Sequence, residues 1–324
     1  MEQILQILKA NQGEYISGER LAKLSGITRA AIWKQINQLR EIGYLIESTP
    51  RRGYKLLNLT GALHPYEIKE GLQTAVFGHN IDYHEEIDST NLRARKLAAQ
   101  GAPEGTVVIA ERQTTGRGRL GRNWSSQSGL GLWFSLILRP RVSASELAVV
   151  TILTAVSLTR AIQQATGIQV QVKWPNDLLY QGSKLAGILA ELNGEMDRVN
   201  YLILGIGLNV NHETVDFPVE LQDKAISLRL INNMIFDRKS ILQQFLRKFE
   251  QSYTMLGSGR MDEVIEYARK HSATLDKQVV INQGFGKTLT GTALDLDWDG
   301  SLWLEDQTGQ KIKVYSGEII ETSG

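Results

Sequence analysis

The stretch Thr114–Trp124, TTGRGRLGRNW, contains G-R-G-R-L-G, a formal match to the G-x-G-x-x-G dinucleotide fingerprint. Its reading decides between a doubly wound nucleotide-binding fold and some other architecture. The fingerprint works only where it opens a helix, because the pyrophosphate rests on the helix N-terminus. Here a strand-like TVVIAERQ precedes it, but NWSSQSGLGLWFSLIL follows, a loop and then a second strand. No helix is expected at Gly121, so the dinucleotide reading fails. What remains is a loop in which Arg117, Arg119 and Arg122 are interleaved with Gly116, Gly118 and Gly121. Glycine lets backbone amides approach an anion, and arginine adds charge in a fork suited to phosphate or carboxylate. Such a loop can close over a charged ligand, with Trp124 stacked on a base; a plain Arg-rich surface loop is the alternative.

Outward from this loop the elements are mixed rather than strictly alternating. IDYHEEIDS, VQVKWPNDLLY, SKLAGILAELNG and YLILGIGLNVN read as strands. STNLRARKLAAQG, ASELAVVTILTAVSLTRAIQQATG, DRKSILQQFLRKFEQSYTML and MDEVIEYARKHS read as helices. The pattern predicts an α+β domain, one sheet backed by helices, over 66–272. Over 275–322, QVVIN, TLTGTALDLD, GSLWLED and KIKVYSGEII are short strands separated by turns, which predicts a small SH3-like β-barrel. At the other end, residues 1–60 predict a winged helix-turn-helix: helix 2–10, a capped SGERLAKLSG helix, a second helix after Thr28, and a hairpin around Pro50–Gly53. GALHPY, 61–66, reads as a linker. The protein is therefore a multidomain α+β chain.

The chain has 324 residues, 42% of them hydrophobic, with a net charge of +1 and no cysteine. Disulfides, thiolate catalysis and Cys-based metal sites are excluded, and a cytoplasmic location is expected. No signal peptide and no membrane-spanning stretch are expected. The charge is local: residues 1–60 hold nine Lys and Arg against five Glu, which suggests a module with a partner of its own. Arg29, Lys34, Gln35, Asn37, Gln38 and Arg40 of the second helix, with Arg51 and Arg52 at the wing tip, suit DNA phosphates and base edges. A protein-binding winged helix is the competing reading.

GRGRLGRNW, KWPNDL (Lys173–Leu178) and KLAGIL (Lys184–Leu189), together with DSTN (Asp88–Asn91) and GIGLN (Gly205–Asn209), resemble the biotin–protein ligase family in order and spacing. With the winged helix, the likeness is to its bifunctional bacterial type, both ligase and biotin-responsive repressor. The resemblance implies that biotin is activated by ATP, accompanied by Mg2+, to biotinyl-5′-AMP and passed to a lysine on the biotin carboxyl-carrier domain of a carboxylase. It implies operator DNA as a second partner and a homodimer to read two half-sites. Neither a bound transition metal nor a membrane is implied.

By the same resemblance, Ser89, Thr90, Asn91 and Gln113 hold the biotin ureido ring, and Arg117, Gly118 and Arg119 wrap the biotin chain and the phosphate. Lys184 and Arg119 are the catalytic cations, with Lys184 on the biotin carboxylate. Arg119, Trp124, Asn176 and Asn209 meet the nucleotide, and Asp177 meets Mg2+. Capping by the Ser-Thr-Asn run, a turn role for Asn176-Asp177 and strand-edge lysines at 173 and 184 are the structural alternatives. Leu120 stands where some members carry a further arginine, which bears on how the adenylate is retained. DLDWDG (Asp295–Gly300) resembles a calcium loop, but Asp306 at its twelfth position and the flanking strands favour a hairpin turn. His79 and His84 lie near Asp82 without completing a metal site. Two other functions remain: a non-ligating biotin-sensing transcription regulator, and a lipoate–protein ligase.

Overall fold

Helical spacing of apolar residues builds the first of two units, Met1–Glu67 and Ile68–Gly324, in the computed structural model. It describes residues 1–41, 43–57, 63–140, 147–195, 198–256, 261–284 and 286–323. In the first unit, helices α1 (Glu2–Ala10), α2 (Gly18–Ser25) and α3 (Arg29–Glu41) are followed by the hairpin β1 (Ile46–Thr49) and β2 (Gly53–Leu56). Ile4, Leu5 and Leu8 of α1, Leu21 of α2 and Ile32, Ile36 and Leu39 of α3 form one core with Tyr44, Ile46 and Leu56. The caps are those expected: Ser17 accepts from Arg20 N at 3.1 Å, Gly26 ends α2 in the left-handed region, and Thr28 accepts from Ala31 N at 3.2 Å. A short helix α4 (Pro65–Lys69) replaces the second half of the expected linker, and residues 61 and 62 of that linker lie outside the described ones.

The second unit is built on β3 (Ile81–Ile87), α5 (Thr90–Ala99), β4 (Val107–Gln113), β5 (Gly131–Leu138), α6 (Leu147–Thr166), β6 (Gln171–Lys173), β7 (Asp177–Tyr180), β8 (Ser183–Glu195) and β9 (Arg198–Asn209). After these come α7 (Leu228–Asn232), α8 (Arg238–Tyr253) and α9 (Asp262–Lys270). The seven strands form one sheet in the order β3-β4-β5-β9-β8-β7-β6. β3 and β4 run parallel across α5 and the other pairings are antiparallel. β5 is buried along its whole length because both faces are covered. Ile137 packs under α5 with Ala94 and Ala98, whereas Phe134 faces Phe245 of α8 on the other side, ring centroids 5.3 Å apart.

Two expectations change. The start of the helix expected from 144 lies outside the described residues, and α6 is described from Leu147. Its Ala148–Thr166 portion is long and apolar enough by composition to cross a membrane, contrary to the reading that no stretch was. It packs instead against α8, and 72% of that window is buried in the fold. VQVKWPNDLLY is two strands, broken at Trp174–Asn176 with a cis Trp174–Pro175 bond.

The last strands are β10 (Gln278–Gly284), β11 (Lys287–Leu296), β12 (Leu302–Glu305), β13 (Lys311–Val314) and β14 (Glu318–Ser323), in the order β13-β12-β11-β10-β14. KIKVYSGEII thus divides into two strands on opposite edges of one sheet, joined by only Tyr315–Gly317. So short a link requires the sheet to curl toward a barrel. The DLDWDG segment is a hairpin turn as expected, with Gly300 N donating to Asp297 O at 2.9 Å.

Candidate functional site

The site begins as a gap in the sheet's side chains. Gly187 of β8 stands opposite Gly207 of β9, and Gly205 lies two residues along. A Cβ on Gly205 would meet Asn91 Oδ1 at 2.1 Å, and one on Gly207 would meet the Trp124 ring at 2.5 Å. With no side chains at these positions, the face carrying α5 keeps a cavity of about 340 Å³.

One wall is a hydrogen-bonded network at the start of α5. Thr90 N and Oγ1 both donate to Gln113 Oε1, at 2.8 and 3.1 Å, and Gln113 Nε2 donates to Ser126 Oγ at 2.8 Å. Ser135 Oγ lies 2.8 Å from Thr90 Oγ1 and 2.6 Å from Asn91 Oδ1, while Asn91 Nδ2 donates to Glu191 Oε2 at 2.8 Å. Buried polar groups bound on several sides hold one orientation. Ser89 occupies the N-cap position yet makes no side-chain cap bond, so capping does not account for Ser89.

The opposite wall is cationic. Arg119 Nη1 donates to Asn176 Oδ1 at 2.9 Å, and Asn176 Nδ2 donates to Ile188 O at 3.0 Å. Burial pushes the Arg119 guanidinium's pKa down, against the attraction of Asp177 and Glu318; it remains charged at any working pH. Lys184 Nζ lies 2.8 Å from Asp177 Oδ1 and 5.4 Å from the centre of the Trp124 ring. Lys184 reaches this face because of a bulge. Leu178 pairs with Ala186 but Leu179 pairs with Lys184, so Leu185 is the extra residue. In a regular strand, positions 184 and 187 point to opposite faces. The inserted residue shifts that parity, and Lys184 Cε lies 3.4 Å from where a Cβ of Gly187 would stand.

The Arg-Gly loop is a tight hairpin. Gly118 N donates to Arg122 O at 2.7 Å and Trp124 N donates to Gly116 O at 2.9 Å. Its only helical turn is a three-residue 3-10 turn, Arg119–Gly121, so the next long element is β5, as expected. Leu120 is exposed and left-handed, φ 54°. The loop is tied to the curled C-terminal sheet through Arg122, whose two terminal nitrogens both donate to the Glu318 carboxylate. Lys173 Nζ donates to Ile319 O at 3.3 Å, a tie to the same sheet. Trp174 Nε1 donates to Gly300 O at 3.0 Å, a second tie to the C-terminal sheet.

All the expected ligand residues, Ser89, Thr90, Asn91, Gln113, Arg117, Gly118, Arg119, Trp124, Asn176, Asp177, Lys184 and Asn209, line this one cavity. Asn209 donates to Ile226 O at 3.1 Å. Sequence reasoning missed Ser135, Ser126, Glu191, His212, Phe217 and Glu318. Ser135 was findable as the lone hydroxyl in GLWFSLIL; Glu318 carries no local signal. His212 stacks on Phe217, centroids 4.9 Å apart, and burial lowers its pKa to about 4. His84 is paired with Asp82, and no group of three or more metal-binding side chains occurs among the described residues.

In the first unit, Arg29, Lys34 and Gln38 are exposed on α3 and Arg51 and Arg52 at the wing tip. Two of the expected DNA contacts are only partly exposed. Gln35 is half-buried, and Arg40 donates to Ile46 O and Ser48 Oγ, bracing the wing. Asn37 Oδ1 accepts from Arg40 Nη1 at 3.3 Å, and the Arg52 guanidinium lies 4.1 Å from the centre of the Tyr15 ring.

Residues 83–209 match the Biotin/lipoate A/B protein ligase family, 1–55 an HTH domain, and 274–320 the Biotin protein ligase C terminal domain. The chain is 40% identical to the bifunctional ligase/repressor BirA of Bacillus subtilis over 316 residues, 98% of this chain and 97% of that one. It is 29% identical to that of Escherichia coli, covering 95% and 93%. The structure of biotin protein ligase from Aquifex aeolicus in complex with biotin and ATP superposes with a TM-score of 0.65 at 32% identity, over 76% of this chain and 99% of that one.

Proposed function

The chain belongs to the family of bifunctional biotin ligase/repressors, and from that premise we infer which of its groups carry each activity. It activates biotin with ATP to biotinyl-5′-AMP and transfers the biotinyl group to a lysine of a carboxylase carrier domain. It also represses transcription in response to biotin through its helix-turn-helix unit.

The reading of the site rests on one observation: Lys184, Arg119 and Asn176 face the Thr90–Asn91–Gln113 network across a single cavity. A ureido ring presents both donors and acceptors, which hydroxyls and amides match; Ser89, Thr90, Asn91 and Gln113 are assigned to it. The glycine floor admits the ring against the sheet, and Arg117 and Gly118 follow the biotin chain. In the first step a biotin carboxylate oxygen attacks the α-phosphorus and the bond to pyrophosphate breaks. Lys184 holds that carboxylate, and Arg119, oriented by Asn176, faces the charge that grows on the phosphoryl oxygens. In the second step the carrier amine attacks the acyl carbon, AMP leaves, and the amine's proton passes to solvent. Trp124 and Asn209 are assigned to the adenine and ribose end.

Asp177, whose carboxylate Lys184 now neutralises, fits the one-carboxylate-plus-phosphates manner in which Mg2+ is usually held; bound there with ATP, the ion would neutralise phosphate charge. Reading a two-half-site operator calls for two helix-turn-helix units, so the acting species is a homodimer. The absence of cysteine accords with a cytoplasmic setting. Incubation with ATP, biotin and a carrier domain tests the enzyme reading, with one biotinyl group added to the carrier as the expected mass change. Faster transfer of lipoate would make it a lipoate ligase, and biotin binding without transfer a sensing regulator.

A further inference from the structure

We propose that Trp33, exposed at the centre of α3, is a specificity-determining residue of the DNA-binding unit that reads a thymine methyl group in the major groove. The proposal rests on the repressor reading and adds to it the chemistry of one contact.

On α3, Ile32, Ile36 and Leu39 face the core. Arg29, Trp33 and Asn37 follow one another at four-residue steps along a flank of that core stripe, with the exposed Lys34 and Gln38 further round the helix. In that polar stripe Trp33 is 60% exposed, although no other side-chain type carries more apolar surface. An indole left in water is driven to find apolar surface. Its surroundings choose the occupant: Arg29 and Lys34 on the helix and Arg51 at the wing tip are cations suited to phosphates, and nine bases face five acids in residues 1–60. Within a major groove entered by such a helix, the one apolar group on the base edges is the C5-methyl of thymine. The polar neighbours cannot read that methyl; Trp33 can. Arg40 meanwhile is spent on the wing, which leaves Trp33 beside the exposed Arg29 and Lys34 on the helix.

The test uses the full-length protein with biotin and ATP. A site is first selected from a random duplex pool by the wild-type protein. Each thymine in it is then replaced by deoxyuridine, which removes only the methyl. Wild type is expected to bind one such duplex about fourfold more weakly, the factor for one buried methyl. W33A is expected to bind the selected site about tenfold or more weakly while becoming indifferent to that same replacement, and W33F to recover part of the loss. Carrier biotinylation and thermal unfolding of W33A should match wild type. Selection of a site whose thymines all tolerate replacement overturns the assignment alone. Equal weakening of W33A on selected and scrambled duplexes also overturns it, as does a shift in the sedimentation of W33A with no change in sequence preference, which would mark a subunit contact. Selection of no preferred site overturns the repressor reading and this assignment with it.

Discussion

At the scale of single residues the site depends on one cation and on missing side chains. In the proposed reaction Lys184 holds a carboxylate against a phosphate, a service realised most in the transition state. K184Q should lower the rate of biotin-dependent pyrophosphate release by about 10²–10³ while the protein still melts like wild type. G205A should abolish biotin binding by calorimetry, because the added Cβ would stand 2.1 Å from Asn91 Oδ1 and break a network that has no slack. His212 supplies a pH effect. Burial holds its pKa near 4 rather than 6.5, so the native state refuses a proton that the unfolded chain accepts. Its stability contribution is complete above pH 6.5 and is lost as pH falls toward 4, about 3 kcal/mol over that window. H212Q should lose less stability than wild type between pH 7 and pH 4.5, measured as the change in thermal midpoint. Ser89–Asn91, Gln113 and Lys184 were visible as motif residues in the chain; the burial of His212 against the Phe217 ring was not, since it depends on what packs around it.

At the scale of elements, two features convert sequence into a site. The bulge between β7 and β8 turns Lys184 onto the glycine face. The Arg122–Glu318 pair ties the loop to a strand 196 residues away. That pair is largely exposed on the arginine side, so it contributes only about 0.2–1 kcal/mol. E318Q should therefore release preformed adenylate faster than wild type by no more than about fivefold, read by chasing labelled adenylate with excess unlabelled ligand. Helices and most strands were readable from their periods. KWPNDL and KIKVYSGEII misled because a short turn inside an apolar run leaves the two-residue alternation almost intact. For Gln35 and Arg40 the helical period leaves the contact open: a polar side chain on a helix flank can equally reach solvent or the neighbouring wing.

At the scale of the whole molecule, one chain carries a unit that reads DNA and a unit that makes the adenylate. If adenylate favours the dimer that spans two half-sites, then by linkage operator DNA must tighten adenylate binding by the same factor. Calorimetric titration of adenylate with and without operator checks that equality. The slope of log affinity against log salt should fall by about 0.9 per phosphate contact when Arg51 is replaced by Ala. The amino-acid sequence by itself determined the three kinds of domain and the motifs whose residues line the cavity. Those signals are local: helical and strand periods, turn residues, charge density and short spaced motifs. Only the tertiary structure decided which face of the sheet Lys184 serves, that Ser135 and Glu191 brace the Thr90–Asn91 wall, and that Glu318 reaches back to the loop. Strand register, bulges and packing are properties of pairs of segments brought together from distant parts of the chain, and no single segment contains them.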